Sequence, residues 1–367
     1  MATPDSDIIV LGAGIVGLAT ARALARRRMR VTVVTRDEPG CGASLAGAGM
    51  LEVHFPVPIP PALAVLCERS RALYDMFAAE LLAETGYDIG IDTAGTIALA
   101  TDEAERADLA SQAKAIKGSK PMDREEAWLA MEPGLGRGLK GALFLPDDHS
   151  IDPVRVCRAL LMAAERAGAR VMRGVTATGW LVEGGRVAGL ATDAGPLKAR
   201  LTVNAGGAWA GQLPGLPFTV PVHPVKGQLV HLIPSRMPGH VLQVRTLYMV
   251  PRPREGRVIL GATVEEAGYD VRPTAGGVRQ LLEGGIRLFP DLAGAEITEI
   301  RVGLRPGTPD GIPILGRTPL DGLLLASGPF RKGILLAPVV SDIVSRLAAG
   351  EDPGVPLEPY SVTRFAR

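Results

Sequence analysis

Charge of one sign is what this sequence most plainly lacks. Its 40 basic and 39 acidic side chains, among 367 residues, leave a formal charge of +1. A nucleic-acid or other polyanion partner needs a basic face, and none is expected here. The one short basic run, Arg26-Arg27-Arg28, suits the C-terminal end of a helix, where positive charge complements the helix dipole. Cysteine and histidine are also sparse. Cys41, Cys67 and Cys157 share no close spacing, and the five histidines are scattered. That pattern argues against a zinc-type site and fits a reducing cytoplasm. No apolar stretch reaches the roughly 18 residues of a membrane helix. The apolar residues 8–11 precede the basic cluster and run into glycines, the reverse of a signal peptide. A soluble, cytoplasmic protein is predicted. Internal repeats, low-complexity tracts, a Ser/His/Asp arrangement and a paired-carboxylate arrangement are all missing.

What is present begins at the N-terminus. Asp7-Ile8-Ile9-Val10-Leu11 reads as a buried strand and runs directly into Gly12-Ala13-Gly14-Ile15-Val16-Gly17. An Ala-, Leu- and Arg-rich helical stretch follows up to Arg28, then a second strand over 30–34. Strand, Gly-rich turn, helix and strand within about 30 residues form the unit that binds dinucleotides. Gly12 permits the tight turn, Gly14 lets backbone approach a pyrophosphate, and Gly17 lets helix and strand pack closely. The free N–H groups of the helix start face the phosphates, aided by the dipole. One part of the fingerprint is absent: the second strand ends in Thr35, followed by Arg36 and Asp37, where an acid for the ribose hydroxyls is expected. Either Thr35 makes a neutral hydrogen bond there or Asp37 reaches back.

Further on come a Gly/Ala/Ser loop (40–51), a proline-rich stretch (56–61) and a long amphipathic helix over 62–84. Residues 86–145 mix short strands with a charged helical segment. Asp152-Pro153 supplies an N-cap and a proline at the first helical position. Residues 171–186 suggest strands with a turn at Gly184-Gly185. Two more strands, 201–205 and 323–327, end in glycines. Longer strands are predicted over 224–233, 248–250 and 257–263, and a helix over 274–288. Dinucleotide-fold elements thus occur at the start, middle and end, with strand-rich insertions between them.

The order and spacing of these blocks resemble the D-amino-acid-oxidase-like family of flavoproteins, most closely the glycine oxidases of bacterial thiamine synthesis. The resemblance spans nearly the whole chain. It rests on residues 9–20, 43–51 (Ala-Ser-Leu-Ala-Gly-Ala-Gly-Met-Leu), 203–209 (Val-Asn-Ala-Gly-Gly-Ala-Trp) and 221–228. Residues 248–252 (Tyr-Met-Val-Pro-Arg), 261–270, 303–311 and 330–338 complete it. It implies an α/β fold: a Rossmann-like FAD-binding domain (1–85, 146–219 and 305–367) interleaved with an α+β substrate domain on a large mixed sheet (86–145 and 220–304). FAD would be held by Gly12, Gly14, Ile15, Val16 and Gly17 at the pyrophosphate. Thr35, Arg36, Val175, Ala205, Gly206 and Trp209 would complete the nucleotide side. Ser44, Ala46, Gly47, Gly49, Met50 and Leu51 would line the flavin, with Gly328, Arg331, Lys332, Gly333 and Ile334 at its pyrimidine side.

The same resemblance implies a small amine or amino acid as substrate, with molecular oxygen or another electron acceptor, and a tendency to homo-oligomers. Arg305, in Gly-Leu-Arg-Pro-Gly-Thr, matches the carboxylate-binding arginine; a guanidinium fork suits a carboxylate better than an ammonium does. Otherwise it would be a surface residue at a strand end. Arg331 matches a second arginine near flavin and substrate, or else closes the domain with a salt bridge. Tyr248 matches a pocket tyrosine, or else is a half-buried strand aromatic. Val264 is a further pocket candidate, and Cys41, in the Gly-rich loop, a conceivable covalent tether. His223, in Pro-Val-His-Pro, reads as structural. Hydride leaves Cα of the neutral amine for the flavin and water hydrolyses the imine, so no side-chain base is obligatory.

Two departures stand out. The family string Gly-His-Phe/Tyr-Arg-Asn-Gly here reads Gly328-Pro329-Phe330-Arg331-Lys332-Gly333. Pro329 removes an imidazole and an N–H, and Lys332 replaces an amide with a cation. They predict a pocket retuned for another amino acid or a secondary amine. The alternatives are a quinone- or dye-linked dehydrogenase of the same fold and a flavin-binding protein without turnover. An NAD-dependent dehydrogenase would share the first turn but not the later blocks.

Overall fold

In the computed structural model, residues 6–54, 59–122 and 125–366 are described; residues 56–58 of the proline-rich stretch lie outside them. Two eight-stranded sheets organise the chain. In the first, Ser6–Leu11 lies at the centre, parallel to Val31–Thr35 on one side and to Leu197–Asn204 on the other. Leu323–Ser327 and Arg170–Arg173 extend the parallel set, and Ile314–Arg317 closes one edge antiparallel. The central strands Ser6–Leu11, Val31–Thr35 and Leu323–Ser327 are mostly apolar and buried, as strands covered on both faces must be. Their C-terminal ends lie along one edge of the sheet, where ligands bind in such folds.

One face is covered by helices Ile15–Arg26, Pro61–Thr85, Pro153–Arg166 and Gly333–Ala349, which share a core with Ile8, Val10, Val31 and Val33. Pro153–Arg166 starts as the sequence predicts: Asp152 accepts from the Val154 N–H at 2.8 Å. The other face is covered by the hairpin of Ala177–Glu183 and Arg186–Thr192. Its turn residues Gly184 and Gly185 both have positive φ, 55° and 75°, as a tight two-residue hairpin requires. The basic cluster ends the first helix, with Arg26 paired to Glu80 and Arg27 to Glu351.

The second sheet runs Glu296–Gly307, His223–Ile233, Arg257–Gly261, Leu247–Arg252, Val241–Val244, Thr96–Ala100, Gly141–Leu145, Lys120–Met122. All its pairs are antiparallel except Val241–Val244 with Thr96–Ala100. Alternation of side chains across the pleat decides what each face meets. Val230, Met249, Val258 and Leu260 pack with Leu281 and Leu288 of the helix Ala275–Leu288. Their neighbours Leu229, Val250 and Ile259, with Tyr248, pack instead on Ala48 and Met50 of the Gly/Ala loop. That loop is therefore pressed between the two sheets. The strand Glu296–Gly307 runs unbroken through residue 305. Among the described residues, no helix is long and apolar enough to cross a membrane.

Candidate active site

Gly12 has φ 101°, and a Cβ there would run into the Ala205 carbonyl oxygen. A Cβ at Gly17 would overlap the Gly12 carbonyl oxygen. Both glycines are demanded by the protein's own packing. Gly14 differs. Its φ of −72° and ψ of 178° are open to any residue, and a Cβ would meet only Ser44 Oγ, at an ordinary 3.4 Å. Gly14 lines a cavity, so the chain's own packing does not require glycine there. Gly14 has no side chain to cap the helix; Ser44 Oγ accepts from the Ile15 N–H at 3.0 Å. The remaining first-turn N–H groups offer the partial positive charge that suits a pyrophosphate.

The cavity has two adjoining halves, both lined by Gly14, Ala43, Ser44, Ala205 and Gly207. The nucleotide half adds Gly12, Thr35, Arg36, Val175, Gly206 and Trp209. Here Thr35 Oγ1 donates to the Asp37 carbonyl at 2.9 Å, and Arg36 pairs with the Asp37 carboxylate at 2.9 Å. The Arg36 guanidinium lies 5.0 Å from the Trp209 ring centroid, forming a cation–π wall. Cys41 lines this half, and burial raises its thiol pKa, which disfavours the thiolate.

The second half adds Ile15, Val16, Ala46, Gly47, Gly49, Met50, Tyr248, Arg305, Arg331, Lys332, Gly333 and Ile334. The loop is held from behind by Arg252, which is buried and which the sequence reading gave no role. Its guanidinium donates to the Ala48 carbonyl, to the Ile151 carbonyl at 2.7 Å and to Ser150 Oγ at 3.1 Å. Three of the residues predicted to hold FAD line neither half. Gly17 packs behind the turn, Leu51 is wholly buried in the helix-side core, and a Cβ at Gly328 (φ 73°) would strike Thr308. Val264 is exposed and His223 packs against Gly307, both outside the lining.

The charged end is unusual. Arg305 Nη1 donates to the carbonyls of Thr263 at 3.0 Å and Lys226 at 3.3 Å. Its guanidinium occupies the place a Cβ at Gly227 would take. Arg331 Nε is buried without a hydrogen-bond partner, with Phe330 beneath it at 5.2 Å. Neither guanidinium forms an ion pair among the described residues. Burial lowers the pKa of Arg331, and the positive charge of Arg305 lowers it further. Burial raises the phenol of Tyr248, while both arginines pull it back down. Two like charges facing one desolvated space, neither held in an ion pair, form a site for an anion. Lys332 is not a free cation at this end: its Nζ is buried and donates to the Glu52 carbonyl at 2.7 Å. The sequence reading also missed Glu52, Gln243 and Thr246 of the lining. An acid directly after an apolar Gly/Ala loop was the available signal for Glu52; nothing marked the other two.

Comparison with known proteins places this geometry. Residues 7–347 match the family of FAD dependent oxidoreductases. The chain is 35% identical over 359 residues to a glycine oxidase of Pseudomonas aeruginosa, covering 96% of this chain and 98% of that one. It superposes on the crystal structure of glycine oxidase from Geobacillus kaustophilus with a TM-score of 0.94 at 34% identity, over 100% of both chains. Iminodiacetate oxidase from Chelativorans sp. BNC1 matches with a TM-score of 0.86 at 30% identity, over 96% of this chain and 98% of that one. These matches define the class as a flavin-dependent oxidoreductase. The chain belongs to the FAD dependent oxidoreductase family, and its cofactor is FAD, which the open Gly14 cradle and the helix N-terminus beside it fit.

Proposed function

We propose that the protein oxidises a small amino acid at Cα, giving the imine and then the 2-oxo acid, with Arg305, Arg331 and Tyr248 binding the substrate carboxylate. The observation that carries this reading is the pair of guanidinium groups without an ion-pair partner among the described residues, in one cavity beside the Gly/Ala loop. Arg305 is pinned by two carbonyls and presents its remaining N–H groups as a fork, the arrangement that holds a carboxylate in one orientation. The Tyr248 phenol stays protonated and donates. Burial excludes water and strengthens each of these bonds. Bound FAD supplies the two-electron acceptor. Gly12, Gly14 and the first turn of the helix Ile15–Arg26 take the pyrophosphate; Ala46, Gly47, Gly49 and Ile334 flank the flavin. With this reading goes a division into a cofactor unit (1–85, 146–219 and 308–367) and a substrate unit (86–145 and 220–307); the expected boundary at 304/305 moves beyond Gly307 because that strand is continuous. A cytoplasmic location accords with the three free cysteines.

The test is the absorption spectrum of the purified protein before and after anaerobic addition of glycine, sarcosine, D-alanine and iminodiacetate. The expected result is flavin bands that one of these bleaches. Bands that no amine bleaches would indicate a binding protein without turnover and overturn the reading. Peroxide release in air, compared with dye-linked activity, then distinguishes an oxidase from a dehydrogenase.

A further inference from the structure

The half-cavity containing Arg305, Arg331 and Tyr248 has one acidic residue in its described lining, Glu52. It is 7% exposed, and its Oε2 has no hydrogen-bond partner. A buried carboxylate oxygen without a donor costs free energy comparable to a lost charged hydrogen bond, so its retention calls for a reason. Lys332 donates to the Glu52 main-chain oxygen and leaves Oε2 without a donor.

We propose that Glu52 receives the substrate's amino group and takes its ammonium proton, so that arginines hold one end of the zwitterion and Glu52 the other. The inference rests on the amino-acid reading above. In this step an N–H bond of the ammonium breaks, an O–H bond forms on Glu52, and the nitrogen keeps the electron pair; nothing is oxidised or reduced. Hydride loss from Cα needs that lone pair, which an ammonium does not have. The surroundings of Glu52 suit an acceptor. Burial raises its pKa, opposed by Lys332, a hydrogen bond from Gln243, and Arg331. The other titratable groups facing it are Asp148, Tyr248 and Cys67, each of which its charge raises. A carboxylate that is costly to keep charged gains by taking a proton.

The test uses holoenzyme reduced with dithionite under argon, so that no turnover occurs, and calorimetric titration with glycine and with acetate, which is glycine without the amine. In the wild type, the ratio of the acetate Kd to the glycine Kd should rise at least about tenfold from the acid to the alkaline end of the range over which the protein stays folded, as Glu52 ionises. In Glu52→Gln the ratio should be flat across that range, with glycine weakened about tenfold or more and acetate unchanged. Equal weakening of both ligands in the variant, or a flat wild-type ratio, overturns the role of Glu52 while leaving the arginine site standing. If neither ligand binds the wild type, the carboxylate reading fails and takes this inference with it. If the variant does not retain FAD, the wild-type ratio alone decides.

Discussion

The two halves of the cavity are built by different means. Around Gly12 the wall is backbone, a turn and a helix N-terminus, and the Arg36–Trp209 pair closes this half beyond Thr35. Around Arg305 the wall is polar and charged side chains brought from four places in the chain, with Glu52 directly after the Gly/Ala loop, Tyr248 and Arg305 on separate strands, and Arg331 before the last helix. On the reading proposed above, the first half meets a cofactor whose phosphates need only oriented N–H groups. The second must tolerate several buried polar groups at once, and the shifted pKa values of Glu52, Tyr248 and Arg331 record that cost. A backbone-built site is robust and generic; a side-chain-built one is costly and selective.

Substitutions should separate the two halves, and within the first half separate packing from ligand approach. Gly17→Val places a side chain on the Gly12 carbonyl and should cost about 3 kcal/mol or more, read by urea unfolding. Gly14→Val should leave apoprotein stability within about 0.5 kcal/mol but abolish retention of FAD, read by the absorption of the purified protein. Normal flavin loading of Gly14→Val would break the contrast.

In the second half, Arg305→Ala should raise KM about 100-fold, corresponding to roughly 3 kcal/mol of lost charge-assisted hydrogen bonding, with flavin still bound. Unchanged kinetics would make Arg305 a purely structural residue.

Asp148 tests the claim that charge is stored behind this half. Burial first, then the charge of Glu52, raises its carboxyl to about 7 from an ordinary 3.8. The folded chain therefore holds a proton that the unfolded chain releases between about pH 4 and 7, and stability falls as pH rises through that window. Asp148→Asn should add about 2 kcal/mol at pH 8 and little at pH 4, measured by unfolding at both values. An equal gain at both would show that the effect is packing and not charge.

Much of the first half was legible in residues 7–37, because a tight turn and a close backbone approach can be met only by glycine at fixed spacing. Thr35 showed itself as a departure, and the structure gives its hydroxyl a local partner, the Asp37 carbonyl. Arg305, Arg331 and Tyr248 were reached through resemblance, since nothing in their local strings distinguishes an anion site from a strand end. Lys332 read as a cation close to the flavin; the fold turns its Nζ to the Glu52 carbonyl. Glu52 and Arg252 were not singled out at all. Each takes its meaning from groups at least 90 residues away, such as Ser150 for Arg252 and Gln243 for Glu52.

The sequence by itself determined the dinucleotide unit and the interleaved order of the two sheets, because turn chemistry and strand periodicity are local constraints. Only the tertiary structure decided which charges share one dry space, because burial and electrostatic coupling depend on distances that the folded chain alone sets.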